Sequence, residues 1–158
     1  MSRFTAWRGH AWIGLPLRLY LGGVFLLACH DKILHPSGFA LDVATYQLLP
    51  LQLVNLQALV LPWLELFVGL MLVVAFRTRA AALLVNAMMV MFMAALVWAL
   101  MQGLDMGCGC FASEGGDDPI SWHTIVRDGI WLAMGLYIQL FDRRPLGLDR
   151  LFMRRNDA

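Results

Sequence analysis

Four apolar stretches, each long enough to cross the hydrocarbon core of a membrane, constrain the fold of this chain most strongly. They cover residues 13–31, 56–76, 80–102 and 120–141. Only 15% of the residues are charged, against about a quarter in soluble domains. Backbone groups stay paired in lipid, and the stretches lack the alternation of barrel strands, so each is expected to be helical. The sequence predicts an all-α membrane protein, a single-domain bundle of four transmembrane helices.

The basic residues predict how the helices are oriented. By the positive-inside rule, both termini and the connection between the second and third helices are cytoplasmic, as is the basic tail 142–158. The connections 31–57 and 102–119 then face outward. A net charge of +1 gives no reason to expect a nucleic-acid partner, and the bilayer is the expected environment. The residues behind this assignment are Arg3, Arg8, Arg18, Arg77, Arg79, Arg143, Arg144, Arg150, Arg154 and Arg155.

The outer connection between the first and second helices carries apolar side chains at helical spacing. These are Phe39, Val43, Tyr46 and Leu49. The spacing predicts a short amphipathic helix on the outer face, ended by Pro50. A loop packed over the bundle is the alternative.

Cys108 and Cys110 are separated by one glycine in the outer connection between the third and fourth helices. Outside the cytoplasm, such a pair bonds to itself, bonds to a partner or holds a metal. A disulfide across one residue closes a strained ring, so it is easily reduced and suited to exchange. Cys29, at the outer end of the first helix, is a candidate resolving thiol. A structural crosslink, and a simple packing role for Cys29, are the alternatives.

Soft-metal handling is a second interpretation of the same loop. Thiolates, thioethers and imidazoles bind copper or mercury, and several such groups are expected on the outer face. The candidate ligands are Met106, Cys108, Cys110, His35 and His123. The third helix is also rich in methionine, but methionines at consecutive positions point around the whole helix and are typical of packing.

Charged side chains inside the apolar stretches form a further candidate site. Glu65 and Arg127 lie at matching depth, roughly 10 Å from the outer ends of the second and fourth helices, and are expected to pair. Asp128 adds a second carboxylate. Charges within a bilayer face the bundle interior and mark functional or structural ion pairs. The group is either an ion pair that fixes packing or a polar pocket that binds a quinone headgroup or relays protons.

Over roughly residues 14–141 the chain resembles the MauE branch of the DoxX-like membrane proteins. The order and spacing of several short motifs carry the resemblance. They are Arg18, Gly22-Gly23, Lys32-Ile33-Leu34-His35-Pro36, Phe39-Ala40, Tyr46, Leu48-Leu49-Pro50, Leu61-Pro62-Trp63-Leu64-Glu65, Gly69, Cys108-Gly109-Cys110-Phe111, Trp122 and Arg127-Asp128.

The resemblance implies a four-helix protein of the bacterial inner membrane that supports redox work in the periplasm. Methylamine-utilisation members of the family are linked to disulfide formation or maturation of a periplasmic partner, together with a thioredoxin-like protein. Related DoxX proteins are linked to thiol or sulfur oxidation with quinone. The expected function is therefore thiol-disulfide exchange with a thioredoxin-like protein or a secreted cysteine-containing client. A non-catalytic accessory subunit of a larger membrane complex is the alternative.

Overall fold

Five α-helices make up the part of the chain that the computed structural model describes, which is residues 10–103 and 121–142. They are α1 (His10–Leu34), α2 (Pro36–Thr45), α3 (Leu51–Val74), α4 (Thr78–Met101) and α5 (Trp122–Phe141). These residues contain no strand, so the all-α prediction is confirmed. Each predicted long helix is present, with ends that differ by a few residues.

Three of the helices, α1, α3 and α4, are long and apolar enough to cross a membrane. Within the described residues α5 does not meet that description, because Arg127 and Asp128 lower its hydropathy. It is 20 residues long, which at about 1.5 Å per residue matches a hydrocarbon core of about 30 Å. Three of the four predicted spans are thus supported, and the fourth stays a prediction.

Helices α1 and α3 pack closely through two glycines. A Cβ built on Gly22 would lie 3.0 Å from the carbonyl oxygen of Gly69 and 2.8 Å from Val73 Cγ2. A Cβ on Gly69 would lie 3.1 Å from the carbonyl oxygen of Gly22. Small residues allow such backbone contact in membranes, where packing rather than water expulsion holds helices together. A side chain at Gly22 or Gly69 therefore requires atoms of the facing helix to shift.

Gly22→Ala is expected to destabilise the protein by about 1–3 kcal/mol, the usual range for overpacking a well-packed contact. Gly23→Ala is the matched control, because no described atom lies within 4 Å of a Cβ at that position. Unfolding titrations in detergent micelles with both variants measure the difference. Equal stability of the two variants would contradict the close packing of α1 on α3.

A short turn reverses the chain between α3 and α4. Ala75 and Arg77 both adopt left-handed backbone conformations, with φ values of 54° and 43°. The amide of Ala75 donates to the carbonyl of Leu72 and that of Phe76 to the carbonyl of Met71, which closes the end of α3. Arg77 and Arg79 therefore lie together at one end of the helix pair.

The remaining helices are joined by polar contacts. Asn86 of α4 donates from Nδ2 to Gln139 Oε1 of α5 at 2.6 Å. Directly after α5, Asp142 Oδ2 lies 3.1 Å from Arg18 Nε of α1, with side-chain exposures of 0% and 1%. This buried ion pair ties the first half of α1 to the residue that follows α5.

Candidate functional site

All five helices contribute to a cavity of about 130 Å³. Its wall is largely apolar and aromatic, and carries a few charged side chains from α1, α2, α3 and α5. The larger apolar side chains on it include Phe25, Phe39, Tyr46, Met89, Phe92 and Trp131. The mostly apolar wall with few polar groups is typical of a small-molecule site.

The predicted amphipathic stripe forms one side of this cavity. Phe39, Val43, Tyr46 and Leu49 all line it, and Phe39 and Tyr46 are buried. The helix predicted between the first two long helices is present as α2, but it ends at Thr45. Pro50 does not end it and instead immediately precedes α3. The apolar stripe thus faces the interior of the protein.

Lys32 and Glu65 form the first charged pair on the wall. Lys32 Nζ lies 2.7 Å from Glu65 Oε1, and each side chain is 9% exposed. The ammonium also lies 4.9 Å from the centre of the Phe39 ring, within cation–π range. The other carboxylate oxygen, Glu65 Oε2, is buried and has no hydrogen-bond partner among the described residues. One Glu65 oxygen is therefore satisfied and one is not.

Asp128 is the second buried carboxylate on the wall. Arg127 Nε donates to Asp128 Oδ1 at 3.0 Å, and the two side chains are 36% and 1% exposed. The Arg127 guanidinium also lies 4.8 Å from the centre of the Trp131 ring. Asp128 Oδ2 is buried, again without a hydrogen-bond partner in the described part of the chain. In both Glu65 and Asp128, therefore, one carboxylate oxygen contacts a cation and the other is buried without a partner among the described residues.

The predicted pairing of Glu65 with Arg127 is wrong, because Lys32 is the cation that Glu65 contacts. The predicted end of the first helix at residue 31 put Lys32 in the outer connection. In the structure α1 continues to Leu34, so Lys32 lies in its last turn and its long side chain reaches α3. A lone lysine directly after an apolar stretch was the available signal. Glu65 and Asp128 both line the cavity, and the polar-pocket interpretation stays a prediction.

Cys29 is the one cysteine within the described residues. It is 2% exposed, and its thiol donates to the Leu26 carbonyl at 3.2 Å. This agrees with the packing role considered for it. Cys108, Cys110 and Met106 lie outside the described residues, so the resolving role of Cys29 and the Cys108–Cys110 pair stay predictions.

The histidine ligands proposed for a soft metal are both exposed. His35 precedes α2, and His123 is in the first turn of α5. Within residues 10–103 and 121–142, no group of three or more His, Cys, Asp or Glu side chains is arranged to hold a metal ion. Met88, Met89 and Met91 line the cavity, and the burial of Met89 fits packing.

Comparison with known proteins shows the family of the chain. Residues 10–141 match the family model described as methylamine utilisation protein MauE. The chain is 33% identical over 123 residues to the methylamine utilization protein MauE of Paracoccus denitrificans. That match covers 77% of this chain and 66% of the relative, just under two thirds of its length. No solved structure matches. With its all-helical fold and three membrane-length helices, this chain belongs to the MauE family.

Proposed function

We propose that this MauE-family protein exchanges disulfides with proteins on the outer side of a bacterial inner membrane, using Cys108 and Cys110 as the exchanging pair. The observation that carries the proposal is the position of this pair. It lies in the chain between α4 and α5, inside the region that matches the family. Both of these helices also line the cavity within about two turns of that connection, through Ala95 and Asp128. The segment that carries the thiol pair thus joins the two helix ends that lie near the cavity.

We further propose that α5 is the fourth membrane span. Its two charged residues pair with each other, and the carboxylate of Asp128 is buried in the protein rather than exposed to lipid. Paired charges that face the interior are the form in which ionised groups occur in membranes. With four spans, Arg77 and Arg79 lie on the cytoplasmic side together with both termini, and the Cys108–Cys110 connection faces the periplasm.

The chemistry of the pair is thiol-disulfide exchange. A thiolate of one protein attacks a disulfide sulfur of the other, a mixed disulfide forms, and the second thiol resolves it. The partner is a thioredoxin-like periplasmic protein or a secreted client with cysteines, and methylamine utilisation is the process that the family name of the relative supplies. Cys29 is a candidate resolving thiol. Glu65, Arg127 and Asp128 form the polar part of a site for a quinone headgroup or for proton transfer.

Thiol trapping in intact cells tests this function. We expect the Cys108–Cys110 pair to become reduced when a membrane-impermeant phosphine is added, and to reoxidise after its removal. The Cys29→Ser variant should behave in the same way if Cys29 only packs, and should accumulate mixed disulfides if it resolves them. A pair that stays in one oxidation state throughout would contradict exchange and would fit a structural crosslink in an accessory subunit.

A further inference from the structure

Two buried carboxylate oxygens on the cavity wall lack hydrogen-bond donors among the described residues. Glu65 and Asp128 each use one oxygen to bind a cation, Lys32 and Arg127 respectively. The second oxygen of each is buried and unpartnered in the described part of the chain. A buried polar atom without a partner is costly, more so when it carries charge. The cavity therefore favours a ligand that brings hydrogen-bond donors.

The size and walls of the cavity restrict the rest of that ligand. A volume of about 130 Å³ is close to the roughly 150 Å³ of an engineered cavity that holds benzene. Phe39, Tyr46, Phe92 and Trp131 surround the space, and aromatic rings pack well against one another. A single ring with small polar substituents fits this description.

The charges on the wall favour a neutral ligand. Lys32 and Arg127 already accompany Glu65 and Asp128, and the Lys32 ammonium also contacts the Phe39 ring. Asp42 of α2 adds a third carboxylate, which by charge alone would attract a cation, so the cost of desolvation decides. A permanent cation would have to lose its hydration to enter a mostly apolar space. Hydroxyl groups supply donors at a much smaller desolvation cost than a cation, so an uncharged ring with hydroxyls is preferred.

We infer that the cavity binds the hydroquinone form of a lipid-soluble quinone more tightly than the quinone form. A hydroquinone donates two O–H groups, which match Glu65 Oε2 and Asp128 Oδ2. A quinone offers only carbonyl acceptors, which match neither. This inference rests on the proposed function for the source of electrons. It adds a direction of electron flow, because tighter binding of the reduced form makes the bound quinone a stronger oxidant.

The corresponding reaction is balanced without any other reactant. Cys108 and Cys110 lose two S–H bonds and form one S–S bond, and the quinone gains two electrons and two protons to become the hydroquinone. Each tenfold preference for the hydroquinone raises the midpoint potential of the bound two-electron couple by about 30 mV. Tighter binding of the hydroquinone therefore favours transfer of electrons from the thiols to the bound quinone.

Equilibrium binding to the full-length protein in nanodiscs tests the inference. The probes are a benzoquinone with one isoprenoid unit and its reduced form, kept anaerobic, with tryptophan fluorescence as the readout and Trp131→Phe to assign the signal. We expect a Kd at least about tenfold lower for the hydroquinone, equal to about 1.4 kcal/mol. Glu65→Gln and Asp128→Asn should reduce that ratio. Asp31→Asn is the matched control, since Asp31 pairs with the exposed His30 away from the cavity.

Several outcomes decide the inference. Equal affinities, or tighter binding of the quinone, would overturn the inference. Octylammonium tests a cationic ligand, and tighter binding of octylammonium than of the hydroquinone would also overturn it. A direct potentiometric titration of the bound quinone needs no cavity variant and should give a midpoint above that of the free couple. The Cys108→Ser/Cys110→Ser protein should keep the preference. Loss of thiol exchange with this preference intact would contradict the proposed function alone, and loss of the preference with exchange intact would contradict this inference alone.

Discussion

Replacing Lys32 with methionine is expected to lower the free energy of unfolding by about 3 kcal/mol or more, because it leaves Glu65 as an uncompensated buried charge. The pair is short, at 2.7 Å between Lys32 Nζ and Glu65 Oε1, and both side chains are almost fully buried. The ammonium also links α1 to α2 through the Phe39 ring. One substitution therefore removes contacts among three helices.

The double variant Lys32→Met/Glu65→Met separates charge from packing. Replacing both members of a buried ion pair by apolar side chains of similar size is often close to neutral, so the double variant should recover most of the lost stability. Lys32→Arg keeps the positive charge and should lose less than Lys32→Met. Denaturant titrations of the purified variants in the same detergent give these differences. A double variant that is less stable than Lys32→Met would contradict the assignment of the pair.

Replacing Arg18 with methionine is expected to have an effect of similar size, about 3–5 kcal/mol, for a similar reason. Arg18 Nε pairs with Asp142 Oδ2, and both side chains are fully enclosed. Arg18 Nε also donates to the Gly14 carbonyl at 3.3 Å. Without the guanidinium, the Asp142 carboxylate loses this ion-pair partner at the point where α1 and the end of α5 meet.

Arg79→Met is the matched control for Arg18→Met, because Arg79 is an exposed arginine in the first turn of α4. Exposed surface charges contribute about 0–1 kcal/mol. The loss in free energy of unfolding, measured by denaturant titration, should therefore be several-fold larger for Arg18→Met than for Arg79→Met. Similar losses in both would mean that burial of the Arg18–Asp142 pair does not stabilise the fold.

The positions of the long helices could be predicted from the sequence because lipid offers no hydrogen-bond partners to the backbone. An apolar stretch of membrane length must pair its backbone groups internally, so its presence predicts a helix directly. The break between α3 and α4 could be placed for the same reason, since Arg77 and Arg79 interrupt the apolar run. The end of α1 could not be predicted, because a lysine is compatible with both a helix and a loop. In the structure, Lys32 lies within the helix and contacts Glu65.

The direction in which an apolar face points could not be predicted. An amphipathic helix on the outer leaflet is expected to turn its apolar stripe towards lipid, whereas Phe39, Val43 and Tyr46 line the cavity. Lipid tails and a protein interior are both apolar, so the pattern alone does not distinguish them. Tertiary packing of α2 against α3 makes that choice.

The carboxylates of the candidate site could be predicted, although their partners could not. Charged groups are rare in membrane helices, so Glu65 and Asp128 were recognisable from sequence alone. Depth along a helix gave the level of each group but not the side of the helix it occupies. Glu65 was therefore assigned the wrong cation, and the cavity that Glu65 shares with Asp128 is visible only in the structure.

The reduction potential of the Cys108–Cys110 pair is the most direct test of disulfide exchange as the function of this protein. It is measured by equilibrating the purified full-length protein with defined dithiothreitol or glutathione mixtures and alkylating the free thiols, with Cys29→Ser to remove the third cysteine. Exchanging pairs have potentials of about −270 to −120 mV, whereas structural disulfides fall below about −300 mV. We expect a value in the exchanging range. A value below about −300 mV, or a pair that never forms a disulfide, would contradict the proposed function.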